Sequence, residues 1–227
     1  MRAIILAAGM GTRLRPLTLA VPKSLVEIQG ETLIERQIRF LKERSITEII
    51  VVTGYLSEKF DFLREKYDVT LIHNEKYDRY NNFYTMYLVR EFLDDAYVID
   101  ADNYLVENFL EKDIQNSTYF SVYKTGFTDE WLLKYDQQDR VTDVVIESGE
   151  GNILSGISYW NHQTGQHLQS LFESYYASQE FQDLYWDNLV MNHLDDLEVF
   201  IKKIPSNAIF EIDNLDDLQI LRKFMEE

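Results

Sequence analysis

The 227-residue sequence carries 22 Lys or Arg against 39 Asp or Glu, a formal charge of −17, with 45% apolar residues and no cysteine. A chain this long buries roughly 70% of its unfolded surface, so it needs no staple, and a cysteine-free sequence excludes a disulfide framework, a thiol nucleophile and a cysteine zinc site. The acidity excludes nonspecific attraction to nucleic acid or an anionic bilayer, and no apolar run approaches the roughly 20 residues of a membrane span.

In chain order, Ala3-Ile4-Ile5-Leu6-Ala7-Ala8 is an apolar run ending at Gly9, which predicts a buried strand of a parallel sheet. Gly9-Met10-Gly11 and Arg13 interrupt it too early for a signal peptide. Leu33, Ile34, Ile38 and Leu41 repeat with a helical period over 32–44, with Thr32 and Glu35 spaced as a capping box. Residues 48–54 form a second buried strand, 57–67 a second helix and 70–72 a short strand. This βαβαβ alternation implies a parallel sheet with right-handed crossovers. A helix from near Asn82 leads to the strand 97–100. Segments 118–124, 131–135, 141–147 and 154–160 then read as strands with no helix between them. Helices near 164–177 and 183–193, a strand at 198–202 and a helix from about Leu215 complete the chain. The expected fold is α/β and Rossmann-like: a mostly parallel mixed sheet flanked by helices, with an antiparallel extension in the second half. Residues 147–152 read as a turn too short for a linker, so one domain over 1–227 is expected, in a cytoplasmic protein with no membrane insertion.

Charge is unevenly spread. Residues 1–26 hold Arg2, Arg13, Arg15 and Lys23 and no acid, a charge of +4, so the other 201 residues carry −21. The same stretch holds Gly9, Gly11, Pro16 and Pro22. Two glycines after a strand are equally a tight turn, but glycines also let backbone amides approach phosphate oxygens. Arg13 as a fork and Lys23 as a point charge would then neutralise the ligand. The basic, acid-free flank decides for a phosphate-binding loop. Leu14 stands where a dinucleotide fingerprint needs its third glycine, and no P-loop spacing is present.

Leu6-Ala7-Ala8-Gly9-Met10-Gly11-Thr12-Arg13-Leu14-Arg15-Pro16-Leu17-Thr18, followed by Pro22-Lys23-Ser24-Leu25, resembles the signature of the nucleotidyltransferase (pyrophosphorylase) family. The resemblance implies transfer of a nucleotidyl group from a triphosphate to a phosphorylated acceptor, releasing pyrophosphate. It places Leu6, Ala7, Ala8, Gly9, Gly11, Thr12 and Arg13 around the triphosphate, and Lys23 between the α-phosphate and the incoming phosphate. Both reactants are anions, and Mg2+ held by one or two carboxylates would screen them. Asp102, in Asp100-Ala101-Asp102-Asn103 after a strand, resembles the family's metal-binding Asp-Asn, with Asp100 behind it. Asp187, in Tyr185-Trp186-Asp187-Asn188, resembles the second metal acid. Asp213 is assigned instead to a helix start, with Asn214 as cap and Asp217 three residues on.

Aromatic residues make up 14% of the chain, and several adjoin acids, as in Glu130-Trp131 and Tyr185-Trp186-Asp187. Most fill the core, but rings beside a carboxylate also suit a quaternary ammonium. Tyr80-Asn81-Asn82-Phe83-Tyr84, residues 98–104 and 117–123, and Leu184-Tyr185-Trp186-Asp187-Asn188 resemble the family's bacterial phosphocholine cytidylyltransferases. That likeness implies CTP and phosphocholine as substrates, with Trp131, Tyr185 and Trp186 around the choline. Glu147-Ser148-Gly149 stands where sugar-specific relatives carry Glu-Lys-Pro, so a sugar 1-phosphate is the remoter acceptor; 2-aminoethylphosphonate and phosphoethanolamine are nearer rivals. Asn82 and Thr85 are the candidates to read a pyrimidine edge. A regulatory subunit that binds nucleotide without turnover is the non-enzymatic alternative, and intact Arg13, Lys23, Asp102 and Asp187 speak against it.

Overall fold

The computed structural model describes residues 1–226. The first half holds strands β1 (Arg2–Ala7), β2 (Glu27–Ile28) and β3 (Glu31–Thr32), helix α1 (Leu33–Glu43), β4 (Glu48–Thr53), α2 (Phe62–Tyr67), β5 (Thr70–His73), α3 (Asn82–Leu88), β6 (Ala96–Asp100) and β7 (Asn103–Leu105). Two long strands follow, β8 (Thr118–Tyr135) and β9 (Val141–Trp160). The chain then forms α4 (His162–Ser178), α5 (Trp186–Met191), β10 (Phe200–Ile204), β11 (Ile209–Glu211) and α6 (Leu215–Phe224).

Seven strands make one sheet in the order β10-β8-β9-β6-β1-β4-β5. β1 runs parallel to β4 and β6, β4 to β5, and β10 to β8, while β9 is antiparallel to both β6 and β8. β1 is apolar throughout its middle because both faces are covered. Ala3, Ile5 and Ala7 pack in one layer with Ile34, Ile38 and Leu41 of α1. Ile4 faces the other layer, with Phe83 and Met86 of α3 and Phe172 of α4. The mixed α/β architecture is the one the sequence implies.

The capping box of α1 forms as its spacing predicts: Thr32 Oγ1 accepts from the Glu35 amide at 3.2 Å. The helix expected over 57–67 is split into a 3-10 turn at Ser57–Phe60 and the short α2. A larger difference lies in 118–160. The four strand segments are two continuous strands, and the supposed turn at 147–152 lies inside β9. The ladder passes through several register shifts there, so the hairpin bends without breaking. Gly151 permits the bend: its φ is +151°, and an added Cβ would stand 2.5 Å from Leu132 Cδ1.

Two further pairings bring distant segments to one sheet edge. The Ala101 amide donates to the Leu6 carbonyl at 3.1 Å, so the turn after β6 lies beside the loop after β1. β11 pairs antiparallel with β7, opposing Glu211 to Asn103, and the Ile212 amide donates to the Asp102 carbonyl at 3.1 Å. The C-terminal segment is thereby laid against Asp102.

Candidate active site

The loop after β1 turns through short 3-10 segments at Thr12–Leu14, Leu17–Leu19 and Lys23–Leu25. Leu14 is fully buried among Val26, Ile28, Leu33 and Leu221, which anchors the loop in its own small core. Gly11 has φ +57°, and an added Cβ would come within 3.0 Å of Lys23 Cβ, so a side chain there would strain the backbone and push Lys23 away. Thr18 Oγ1 donates to the Gly11 carbonyl at 2.7 Å, and the Tyr55 hydroxyl donates to the Thr18 carbonyl at 3.0 Å. Leu6, Ala7, Gly9, Gly11, Thr12, Arg13 and Lys23 line a cleft of about 280 Å³ at the carboxyl ends of the strands, together with Asp102, Glu211 and Asp213. Ala8 is buried, and its carbonyl accepts from the Tyr55 amide.

Lys23 Nζ donates to Asp102 Oδ2 at 2.9 Å and to Asp213 Oδ1 at 2.8 Å, and Arg13 Nη2 donates to the same Asp213 oxygen at 2.8 Å. Burial works against the Lys23 charge, but Asp102 and Asp213 outweigh it and raise its pKa. The turn carrying Asp102 is fixed from below, where the buried Gln37 side-chain amide donates to the carbonyls of Asp100 and Asn103 at 3.0 and 2.8 Å.

Asp102, Glu211 and Asp213 each place a carboxylate oxygen within 4.8 Å of the others. Asp102 Oδ1 is buried without a hydrogen-bond partner among the described residues. Clustered carboxylate oxygens, one lacking any donor, suit a hard divalent cation. Dehydration in the cleft, with Asp102 and Asp213 close by, pushes Glu211 up to about 8. Its side chain is partly open to solvent, so repulsion from those two acids is the cause that hydration leaves standing.

Asp187, expected from the sequence as the second metal acid, is not one of these three acids. Asp187 lies outside the cluster and accepts from the Tyr119 hydroxyl at 2.9 Å. Dehydration pushes it up to about 7, the Tyr119 bond acting in the opposite direction. Burial, with Asp102 and Asp187 nearby, holds Asp100 well above the carboxylate range. Asn214 and Asp217 do cap α6, as expected. That pairing satisfies the helix start without the Asp213 side chain, and this was the signal in the sequence that Asp213 had another use.

Asp187 belongs to a second cavity, of about 460 Å³, that shares Arg13, Glu211 and Asp213 with the first. Trp131, Tyr185 and Trp186 all line it, beside Asp100, Glu130 and Asp187. Trp131 and Tyr185 stand edge to face with centroids 6.0 Å apart. Tyr185 is 48% exposed, whereas Trp186 is only 3% exposed and sits edge-on to Trp160 at 5.6 Å. Trp186 therefore forms the floor of the cavity more than a free ring of a cage.

The expected base readers are not brought together. Asn82 opens α3 and lines the second cavity, where its Oδ1 accepts from the Trp186 amide at 2.9 Å. Thr85, one turn on, is 5% exposed and accepts from Asn74 Nδ2 at 3.0 Å. As placed, Asn82 holds α5 and Thr85 belongs to the core.

The profile of the nucleotidyl transferase family matches residues 2–185. The choline-phosphate cytidylyltransferase of Streptococcus pneumoniae is 50% identical over 226 residues, covering 100% of this chain and 99% of that protein. The choline-phosphate cytidylyltransferase of Haemophilus influenzae is 40% identical, covering 98% and 97%. The solved structure of the Streptococcus pneumoniae CTP:phosphocholine cytidylyltransferase superposes with a TM-score of 0.97 over 99% of this chain and 98% of that one. A glycine loop facing clustered carboxylates on this fold, and likeness of that extent, make the chain a member of the nucleotidyl transferase family.

Proposed function

We propose that this chain, acting as one domain over residues 1–227, uses Mg2+ to transfer CMP from CTP to phosphocholine, giving CDP-choline and pyrophosphate. The observation that carries this reading is a pair of adjoining cavities, sharing Arg13, Glu211 and Asp213, with chemically different linings. One offers glycine backbone, Arg13 and Lys23 for phosphates. The other offers Trp131 and Tyr185 with the carboxyl groups of Asp100, Glu130, Asp187 and Glu211, an acid-lined aromatic cavity whose carboxyls a cation would draw to their charged form. Phosphocholine carries both groups the cavities ask for, a phosphate and a trimethylammonium. CTP as donor follows from likeness to the cytidylyltransferase relatives.

In the reaction a phosphate oxygen of phosphocholine attacks the α-phosphorus of CTP. The new O–P bond forms as the bond from that phosphorus to the pyrophosphate oxygen breaks. The nucleophile is already an anion, so neither a general base nor a covalent enzyme intermediate is needed; alignment and charge screening suffice. The loop between Gly9 and Arg13 holds the triphosphate. Lys23 keeps its charge despite burial because Asp102 and Asp213 outweigh the dehydration, and that charge serves the two phosphates as they meet. Asp102 and Asp213, with Glu211 beside them, would hold Mg2+, which when bound screens the phosphate charge. Trp131 and Tyr185 replace the thin hydration of the trimethylammonium, and Asp187 supplies its counter-charge.

The test is pyrophosphate release across CTP, UTP, ATP, GTP and dTTP, each with phosphocholine, phosphoethanolamine, 2-aminoethylphosphonate and glucose 1-phosphate. CTP with phosphocholine should turn over fastest, at least tenfold above any other acceptor. Faster turnover with glucose 1-phosphate would overturn the acceptor assignment, and binding of CTP without release for any acceptor would favour a regulatory subunit.

A further inference from the structure

The six-residue α5 is too short to hold itself, since isolated helices under about 12 residues are marginal in water. Yet Trp186 and Asp187, with Tyr185 as its cap, place three consecutive side chains in the acceptor cavity. Its start is held at three points. Asn82 Oδ1 accepts from the Trp186 amide at 2.9 Å, and Asn188 Oδ1 accepts from the Tyr185 amide at 2.9 Å. Those two bonds fix backbone. The third, from the Tyr119 hydroxyl to Asp187 Oδ1 at 2.9 Å, fixes a carboxylate.

We propose that Tyr119 is a positioning residue for the acceptor, holding the Asp187 carboxylate in place to meet the acceptor's cation. This rests on phosphocholine as acceptor and on Asp187 as its counter-charge. Three observations support it. Tyr119 is buried in β8, paired across the ladder with Ser158, so its backbone is rigid. Its ring stands edge-on to Trp160 at 5.4 Å and 89°, and Trp160 stands edge-on to Trp186 at 5.6 Å and 84°, so the hydroxyl cannot swing away. Tyr119 also lines the same cavity as Asp187.

The choice of donor has a physical reason. A hydrogen bond donated to a buried carboxyl favours its charged form, and the Tyr119 bond acts in that direction on Asp187. Lysine or arginine would supply it but would also cancel the charge that an acceptor cation requires. A phenol donates while adding no formal charge, so the negative charge of Asp187 remains available to the ligand.

The experiment compares steady-state kinetics of the wild type, Tyr119→Phe, Asp187→Asn and the double variant, with CTP and phosphocholine varied in turn. Tyr119→Phe keeps the ring against Trp160 and removes only the hydroxyl. It should raise the KM for phosphocholine about tenfold, equivalent to about 1.4 kcal/mol, with kcat and the KM for CTP within about twofold of wild type. Asp187→Asn should raise the same KM at least as much, and adding Tyr119→Phe to it should change nothing further. If a variant melts too low for turnover assays, tryptophan fluorescence titration with phosphocholine in the cold reads the same shift. An unchanged KM in Tyr119→Phe, with Asp187→Asn impaired, overturns the role of Tyr119 and leaves that of Asp187 standing. An unchanged KM in Asp187→Asn overturns the counter-charge itself. A Tyr119→Phe loss that persists undiminished beside Asp187→Asn, or that raises the KM for CTP equally, shows a structural effect and also overturns the proposal.

Discussion

Replacing Lys23 by alanine perturbs two things at once, and the structure separates them. Lys23 Nζ lies 2.9 Å from Asp102 and 2.8 Å from Asp213, and its side chain is 13% exposed. Removing it leaves two carboxylates facing each other without their shared cation. Breaking a fully buried pair costs about 3–5 kcal/mol. Asp102 and Asp213 keep some contact with water, which screens the loss, so about 1–2 kcal/mol is expected here. The catalytic loss should be larger. A preorganised charge aimed at phosphates as they converge resembles a single oxyanion donor, whose removal costs about 10²–10³ in kcat. Pyrophosphate release at saturating CTP and phosphocholine should therefore fall at least 100-fold in Lys23→Ala. Thermal melts should show a modest loss that added Mg2+ reduces, since a cation returns to the two acids. Lys23→Arg should preserve more stability than activity, because a fork cannot reproduce a point charge between two phosphates. Near-normal turnover of Lys23→Ala at saturating substrates would remove Lys23 from the mechanism.

Asp102→Asn and Asp213→Asn should each raise the Mg2+ concentration for half-maximal turnover at least tenfold, while Asp187→Asn leaves that titration unchanged; a shift in Asp187→Asn alone would restore it as the second metal acid. Asp187 at about 7, Glu211 at about 8 and the raised Asp100 make the metal-free folded protein bind more protons than the unfolded chain. Their penalty is absent below pH 4 and grows as pH rises, so in EDTA the melting temperature should fall between pH 5.5 and pH 8; equal values would refute it. The depressed Glu31, Glu35 and Asp95 are already ionised in that window and contribute no slope there. Trp131→Leu and Tyr185→Leu should erode the preference for phosphocholine over phosphoethanolamine with little loss of stability. Trp186→Leu should cost stability first, on the order of 2–3 kcal/mol, because that ring is buried against Trp160; a destabilised Trp131→Leu with unchanged preference would reverse these roles.

Much of the glycine loop was legible because its chemistry is local. Gly9, Gly11, Arg13 and Lys23 lie within 15 residues, and spacing over that range reports directly on which backbone and charges meet a ligand. The parallel half of the sheet was legible for a related reason: a strand covered on both faces must be apolar through its middle, as β1 and β4 are. The ribbon of β8 and β9 was not, because Gly149 and Gly151 look like a turn in sequence while a bend inside a ladder uses the same residues. Thr85 looked polar and available, but only the core shows that Asn74 already holds it.

The pairing of carboxylates belongs to the tertiary structure alone. Asp102 and Asp213 are 111 residues apart, and nothing periodic links them. They meet because β11 pairs with β7 and the Ile212 amide binds the Asp102 carbonyl. These strands are three residues each, too short to carry a hydrophobic pattern. Among 39 acids, each equally soluble and equally charged in an extended chain, only long-range backbone pairing selects which converge, as Asp102, Glu211 and Asp213 do, and which, like Asp187, lie apart and accept from Tyr119. The sequence by itself determined that a loop suited to phosphates follows the first strand, since its glycines and cations are neighbours in the chain. Which acids face that loop was decided by folding, because side chains that meet across a cleft need no proximity in sequence.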